Sequence, residues 1–167
     1  VPVIASYGDA IGIRAIAQRE NLQNDLEDKK FHQLVSLVDK PYINMESAIN
    51  HPCQNLADWK TMNDLDIPAK GGKLVLAWSW HPNPLPLAVP SSTLQAAAMR
   101  GMDVTVLRPE GYNLPEEVMH FAGELAESNG GSISETEDRK EAMENAHVVY
   151  VNSWASPQFY SNRAEEN

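Results

Sequence analysis

The sequence predicts an α/β protein in which a parallel sheet is flanked by helices. After residue 72, short apolar runs alternate with stretches of helical length, which is typical of βαβ units. The stretch over 64–72 contains Pro68, Gly71 and Gly72, and this composition indicates a turn or linker. We therefore expect two parts, with residues 1–62 in the first and residues 63–167 in the second.

In the first part, short apolar runs predict strands, and apolar residues at helical spacing predict helices. Strands are expected at 1–6, 11–16 and 42–45. A helix is expected over 21–38 and should end at Lys40-Pro41, because the residue before a proline avoids the helical region. A second helix should begin at Pro52, since proline is favoured at the first helical position.

The second part alternates strands and helices throughout. Strands are expected at 73–78, 103–107, 132–136 and 147–151, and helices at 91–100, 115–129 and 138–145. Gly101 and Gly130 follow two of these helices, where a left-handed residue commonly ends a helix. The alternation predicts a Rossmann-like sheet with both faces covered. The polar tail over 161–167 is expected to be loose.

Composition restricts the partners of this chain of 167 residues. Its net charge of −10 argues against a nucleic acid or an anionic membrane as partner, although a local positive pocket could still bind a small anion. Cys53 is the single cysteine, so an internal disulfide is impossible and a reducing, cytoplasmic location is expected. No apolar run is long enough to cross a membrane.

Arg14, His51 and Gln54 form the first candidate site. His51 and Gln54 lie at the start of the helix that Pro52 opens, where free N–H groups and the helix dipole favour an anion or a carbonyl oxygen. An arginine can hold a phosphate through two parallel hydrogen bonds, and a glutamine oxygen can accept from an amino group. The structural alternatives are a surface salt bridge for Arg14 and a cap or turn residue for His51.

The loop over 79–86 forms the second candidate site. It follows the first strand of the second part, and ligands of open α/β sheets bind beyond the carboxyl ends of strands. Its three prolines would restrict it to one shape. It lacks Gly-x-Gly-x-x-Gly, so a dinucleotide cofactor loses its best support. The alternative is a rigid connection between strand and helix.

The histidines do not predict a metal site. His51, His81, His120 and His147 are scattered and lack the spacing of metal ligands. Cys53 lies near the same helix start as His51, where the dipole could lower a thiol pKa, so a Cys–His nucleophile is conceivable. We favour a small packed residue.

Several strings, in order along nearly the whole chain, resemble the aspartate/ornithine carbamoyltransferase superfamily. The nearest resemblance is to its N-acetylornithine and N-succinylornithine carbamoyltransferase branch. The strings are Ile11-Gly12-Ile13-Arg14, Asn44-Met45-Glu46, His51-Pro52-Cys53-Gln54 with Leu56-Ala57-Asp58 behind it, the loop over 80–90, Arg108-Pro109-Glu110-Gly111-Tyr112 and the run over 149–154. The order of these strings is more specific than any one of them.

The resemblance implies that carbamoyl phosphate and an N-acylated ornithine are the ligands, with no metal or organic cofactor. Arg14 would hold the phosphate, and His51 and Gln54 would bind the carbamoyl oxygen and nitrogen. The side chains expected to face the acylated ornithine are those of Glu46, Trp80, His81, Leu85, Pro86 and Asn152. The δ-amine would attack the carbamoyl carbon and phosphate would leave.

The chain also departs from the family. The Ser-x-Arg-Thr-Arg phosphate loop and the His-Cys-Leu-Pro motif of the family are absent. The resemblance therefore implies an internal piece, with a partial first domain for carbamoyl phosphate and a second domain incomplete at its C-terminus. Asn152 replaces a lysine that pairs with the substrate carboxylate in this branch.

Two other functions stay open. The chain could be a non-catalytic amino-acid-binding or interaction module of the same fold, or an ordinary ornithine carbamoyltransferase, which the proline-rich loop disfavours. The family forms homotrimers, so a trimer is expected of the whole enzyme. Because the first sheet would have open edges, we expect this piece to dimerise or to swap segments.

Overall fold

The computed structural model describes residues 1–162 and contains two separate parallel sheets. The strands are β1 (Ile11–Arg14), β2 (Tyr42–Glu46), β3 (Lys73–Trp78), β4 (Asp103–Leu107), β5 (Ser132–Thr136) and β6 (Val148–Asn152). The helices are α1 (Pro2–Ala5), α2 (Leu22–Leu26), α3 (Lys29–Val35), α4 (Pro52–Asp64), α5 (Ala88–Met99), α6 (Glu116–Asn129) and α7 (Arg139–Met143). A 3-10 turn follows at Pro157–Phe159. Every strand pair is parallel, so the predicted α/β class is confirmed.

The larger sheet has the order β5-β4-β3-β6, with β3 at its centre. Residues 74–77 of β3 are each at most 5% exposed, because a central parallel strand is covered on both faces. Two of them contribute to the core beneath α5 and α6, and the other two pack with Ala142 of α7. The ends of β3 and β6 lie side by side, where the Ser79 N–H donates to the Asn152 carbonyl oxygen at 2.8 Å.

The smaller sheet consists of β1 and β2. Ile13 of β1 packs against Phe31 of α3 in a small separate core. Tyr42, Ile43 and Met45 of β2 remain about half exposed. Within residues 1–162, no third strand joins this sheet, so its edges are open there, as expected. Dimerisation through those edges stays a prediction.

The strand prediction for residues 1–6 is wrong, because Pro2–Ala5 form one helical turn. Pro2 occupies the start of that turn, where its missing N–H costs nothing. The Ala5 N–H donates to the Val1 carbonyl oxygen at 3.1 Å and closes the turn. A short apolar run cannot by itself distinguish a strand from a helical turn.

The helix expected over 21–38 is instead divided into α2 and α3. Asp28 separates them with a φ of 51°, in the left-handed region that a continuing helix excludes. Helix α5 begins at Ala88, three residues before the predicted start, so Ser91 lies inside the helix. The tail expected to be loose falls mostly outside the described residues.

Asp28 anchors the loop between β2 and α4. The residue is 6% exposed, and its carboxylate accepts from the Ala48 N–H at 2.8 Å. A serine hydroxyl and an asparagine amide in the same loop, residues 47–50, also donate to it. The loop joins Glu46 to His51, so Asp28 fixes the separation of two predicted site residues.

Helix α4 lies between the two sheets and contacts both β2 and α5. Its far end is held by Arg100, which donates to the Ile67 carbonyl oxygen at 2.7 Å and also to the Asn63 side chain. The stretch expected to be a turn or linker is therefore a turn fastened to the end of α5. The division of the chain near residues 62 and 63 stays a prediction.

We expect Asp28→Ala to lower the free energy of unfolding by about 3 kcal/mol, because buried loop donors lose their acceptor. The conservative variant Asp28→Asn keeps one acceptor oxygen and tolerates the left-handed backbone, so it should lose less. Urea unfolding followed by circular dichroism measures both. Asp39→Ala, at an exposed carboxylate, is the control, and equal losses for Asp28→Ala and Asp39→Ala would contradict the anchoring role.

Candidate active site

Arg14 and Glu46 form an ion pair where β1 and β2 end. The two residues are partners in the parallel ladder, so their side chains emerge together. The Arg14 Nε donates to Glu46 Oε2 at 2.8 Å. The Glu46 side chain is 8% exposed and the Arg14 side chain 65% exposed. Arg14 therefore keeps guanidinium N–H groups that face solvent and can bind an anion.

His51 lies beside the same carboxylate. Its Nε2 is 3.7 Å from Glu46 Oε2, and its Nδ1 is buried with no hydrogen-bond partner in the described part of the chain. His51 precedes Pro52 at the start of α4, and its side chain does not cap that helix. The structure thus brings Arg14, Glu46 and His51 together at a helix N-terminus, which is a favourable place for negative charge.

Gln54 lies within the first turn of α4. Its Nε2 donates to Asp58 Oδ1 at 2.8 Å. No hydrogen bond described for residues 1–162 joins the Gln54 side chain to Arg14, Glu46 or His51. Gln54 therefore contributes to the candidate site through its position on α4.

Trp80 and His81 begin the loop after β3. The Trp80 side chain is largely exposed. The His81 Nδ1 lies 2.8 Å from the Asn83 carbonyl oxygen and 3.0 Å from the Asn83 N–H, so this ring nitrogen is used within the loop. These contacts restrict the loop in addition to its prolines.

Leu85, Pro86 and Asn152 lie farther along the same edge of the larger sheet. The Leu85 N–H donates to the Ser153 carbonyl oxygen at 2.9 Å, which joins the loop to the segment after β6. Pro86 precedes α5 and is partly buried. Asn152 ends β6, and its Oδ1 is buried without a partner among residues 1–162.

The two sets of predicted residues are not joined to each other by any hydrogen bond or ion pair in the described chain. Helix α5 connects them indirectly, since it follows the proline-rich loop and contacts α4. The fully buried Ser92 of α5 accepts from the His51 N–H at 2.6 Å, and its carbonyl oxygen accepts from the Asn55 side chain at 2.8 Å.

Residues 87–167 match the family model described as the Asp/Orn-binding domain of aspartate/ornithine carbamoyltransferase. The chain is 38% identical over 163 residues to N-acetylornithine carbamoyltransferase of Xanthomonas campestris pv. campestris, covering 96% of the chain and 48% of that relative. The chain resembles the aspartate/ornithine carbamoyltransferase superfamily over nearly its whole length. The predicted resemblance to this superfamily, and to its N-acetylornithine and N-succinylornithine carbamoyltransferases, is confirmed.

Two further proteins of the same branch are similar to this chain. N-succinylornithine carbamoyltransferase of Bacteroides thetaiotaomicron is 32% identical over 156 residues, covering 93% of the chain and 45% of the relative. A crystal structure of a mutant N-acetyl-L-ornithine transcarbamylase complexed with carbamyl phosphate and N-succinyl-L-norvaline has a TM-score of 0.90 and 36% identity, covering 98% of the chain and 50% of the other. The chain spans about half the length of the relatives it matches.

Ser92 and Asp58 contact residues of the candidate site, although the sequence predicted no role for either of them. Ser92 is 41 positions from His51 in the sequence, and only the position of α5 shows that it supports His51. Asp58 lies four residues after Gln54, a spacing that places two side chains on one helix face and could have indicated the pair.

Cys53 is exposed rather than packed, so that expectation is wrong. It occupies the outer side of the first turn of α4, and its thiol contacts the Asn44 carbonyl oxygen at 3.4 Å. Within residues 1–162, no group of three histidine, cysteine, aspartate or glutamate side chains could hold a metal ion. No helix there is long and apolar enough to cross a membrane.

Tyr150 of β6 lies beside α4 in a cavity of about 160 Å³ that Asp58 and Thr93 also line. Burial raises the pKa of the Tyr150 phenol, and the nearby Asp58 charge raises it further. Both effects disfavour the phenolate. Residues of the first and second parts of the chain therefore meet in this cavity.

This pKa shift predicts a stability change at high pH. Below the ordinary phenol value of about 10, Tyr150 is neutral in both states and contributes nothing. Above it the unfolded chain releases the proton first, so the free energy of unfolding falls as pH rises. Tyr150→Phe should reduce that fall. Urea unfolding at pH 8 and pH 10.5 measures it, with Tyr7→Phe, at a tyrosine 86% exposed, as the control. Identical pH dependences for wild type and Tyr150→Phe would contradict the shift.

Proposed function

We propose that the protein to which this chain belongs transfers the carbamoyl group of carbamoyl phosphate to the δ-amine of an N-acylated ornithine, a step of arginine biosynthesis. The observation that carries the proposal is the approach of Arg14 and His51 to one carboxylate at the start of α4. The relatives named N-acetylornithine and N-succinylornithine carbamoyltransferase support it.

The first set of residues suits the phosphate ligand. Exposed N–H groups of Arg14 would bind phosphate oxygens, because a guanidinium presents paired donors. His51 would donate to the carbamoyl oxygen, and Gln54 Oε1 would accept from the carbamoyl nitrogen. Catalysis would come from positioning the two substrates and from stabilising charge on the carbonyl oxygen and the departing phosphate.

The second set would bind the acylated ornithine. These residues lie at the carboxyl ends of β3 and β6, beside the change of strand order where α/β sheets bind ligands. They are Trp80, His81, Leu85, Pro86 and Asn152. Glu46 would contact both ligands, since it lies at the Arg14 and His51 side of the site.

We also propose a cellular location and an oligomeric state for this enzyme. We place the enzyme in the cytoplasm, in keeping with its free and exposed cysteine, and expect a homotrimer of the longer protein. A second function is a binding module without turnover. Asn152 favours this second function. The resemblance implies a lysine at this position in the N-acetylornithine and N-succinylornithine carbamoyltransferases, and an amide cannot supply the positive charge of that lysine.

Phosphate release from carbamoyl phosphate by the purified chain tests the proposal. Ornithine, N-acetylornithine and N-succinylornithine are supplied in parallel, and release should depend on one acylated form. Release with free ornithine would indicate an ordinary ornithine carbamoyltransferase. Calorimetric binding of an acylated ornithine without release would indicate the binding module.

Arg14→Ala should lower kcat/KM for carbamoyl phosphate at least about tenfold, since hydrogen bonds to a charged group contribute about 1.5–3 kcal/mol. Initial rates of phosphate release measure the change. Arg139→Ala removes an exposed arginine on α7 and is the matched control. An unchanged kcat/KM in Arg14→Ala would remove Arg14 from the site.

A further inference from the structure

We infer that Asp58 is a positioning residue that fixes the Gln54 amide with its oxygen free to accept a hydrogen bond, and thereby selects a carbamoyl group over an acyl group. The identity of the ligand rests on the proposed function. The orientation of the amide does not, because it follows from contacts within the chain.

The direction of one hydrogen bond fixes the orientation of the Gln54 amide. Gln54 and Asp58 are four residues apart on α4, so their side chains lie on one face of the helix. The Gln54 Nε2 is 2.8 Å from Asp58 Oδ1. A carboxylate accepts hydrogen bonds and donates none, so the amide nitrogen must face Asp58. The Gln54 Oε1 is then left as the group available to a ligand.

The Asp58 carboxylate is itself enclosed by the surrounding chain. Its Oδ2 is buried in the cavity that Tyr150 and Thr93 line, while Oδ1 faces Gln54. The rest of that cavity is largely apolar, with Met62 and Leu74 among its lining residues. A carboxylate enclosed on one side by the second part of the chain has few other orientations. Asp58 therefore connects Gln54 to β6.

A second pair on the same helix shows that this arrangement is not general. Lys60 and Asp64 also lie four residues apart and form an ion pair, but their side chains are 72% and 58% exposed. Water can replace either partner of such a pair at little cost. The Asp58 carboxylate differs, because one of its oxygens is buried in the cavity that Tyr150 lines and is shielded from water.

The fixed amide has a consequence for ligand choice. Carbamoyl phosphate and acetyl phosphate differ in an NH₂ group that replaces a CH₃ group. An acceptor held at the position of that group favours the ligand with the donor, and a polar group left unpaired penalises the other. An amide free to rotate could turn its own NH₂ toward the ligand and would lose this selectivity.

The test compares wild type, Asp58→Asn, Asp58→Leu and Asp58→Ala, with Asp64→Ala as the control. Asn keeps an acceptor oxygen, Leu and Ala remove it, and Ala retains space if Leu does not fold. The first readout uses no ligand. It is the exchange of the Gln54 side-chain amide protons with water by NMR, with Gln54→Ala to assign the signals. Exchange should accelerate at least about threefold in Asp58→Leu and Asp58→Ala, and change little in Asp58→Asn and Asp64→Ala.

The second readout is the Kd of carbamoyl phosphate and of acetyl phosphate by calorimetry. Asp58→Leu and Asp58→Ala should weaken carbamoyl phosphate about tenfold and acetyl phosphate less than about twofold, with Asp58→Asn close to wild type. Equal weakening of both phosphates, or unchanged amide exchange, would overturn the inference. If the wild-type chain binds neither phosphate, the proposed function fails for this chain, and the NMR readout still decides whether Asp58 positions Gln54.

Discussion

The buried carboxylate of Asp28 is the constraint on which the arrangement of this chain depends. It lies between α2 and α3, adopts a left-handed backbone, and accepts hydrogen bonds from the loop over residues 47–50. That loop leads from Glu46 to His51, so one side chain sets the distance between the end of a strand and the start of α4. The polar contacts of Ser92 then hold the same helix against the second part.

Much of the fold could be predicted from the sequence, because local patterns determine most of its elements. The run over 73–78 is apolar without interruption, and β3 is the central strand, so pattern and burial agree. The predictions failed where tertiary contacts decide. The break at Asp28 depends on donors about 20 residues away. Among residues 1–162, no strand pairs with Pro2–Ala5 to hold this segment extended.

The candidate site could be predicted only in part, for a similar reason. Arg14, His51 and Gln54 were recognisable from chemistry that each side chain bears. The support of His51 by Ser92 spans 41 positions, and Tyr150 meets Asp58 only because β6 lies beside β3. Such contacts follow from topology, and no spacing in the sequence reveals them. The roles assigned to the individual residues stay predictions until they are measured.

The ion pair between Arg14 and Glu46 acts as an internal competitor for any anion that enters the site. An incoming anion must compete with the Glu46 carboxylate, which already contacts the Arg14 guanidinium. The net binding free energy is therefore the difference between the two attractions. Weakly charged ions such as chloride gain little from this exchange, whereas a doubly charged phosphate gains more. The pairing thus sets a charge threshold, which would keep the arginine available in a cell rich in monovalent anions.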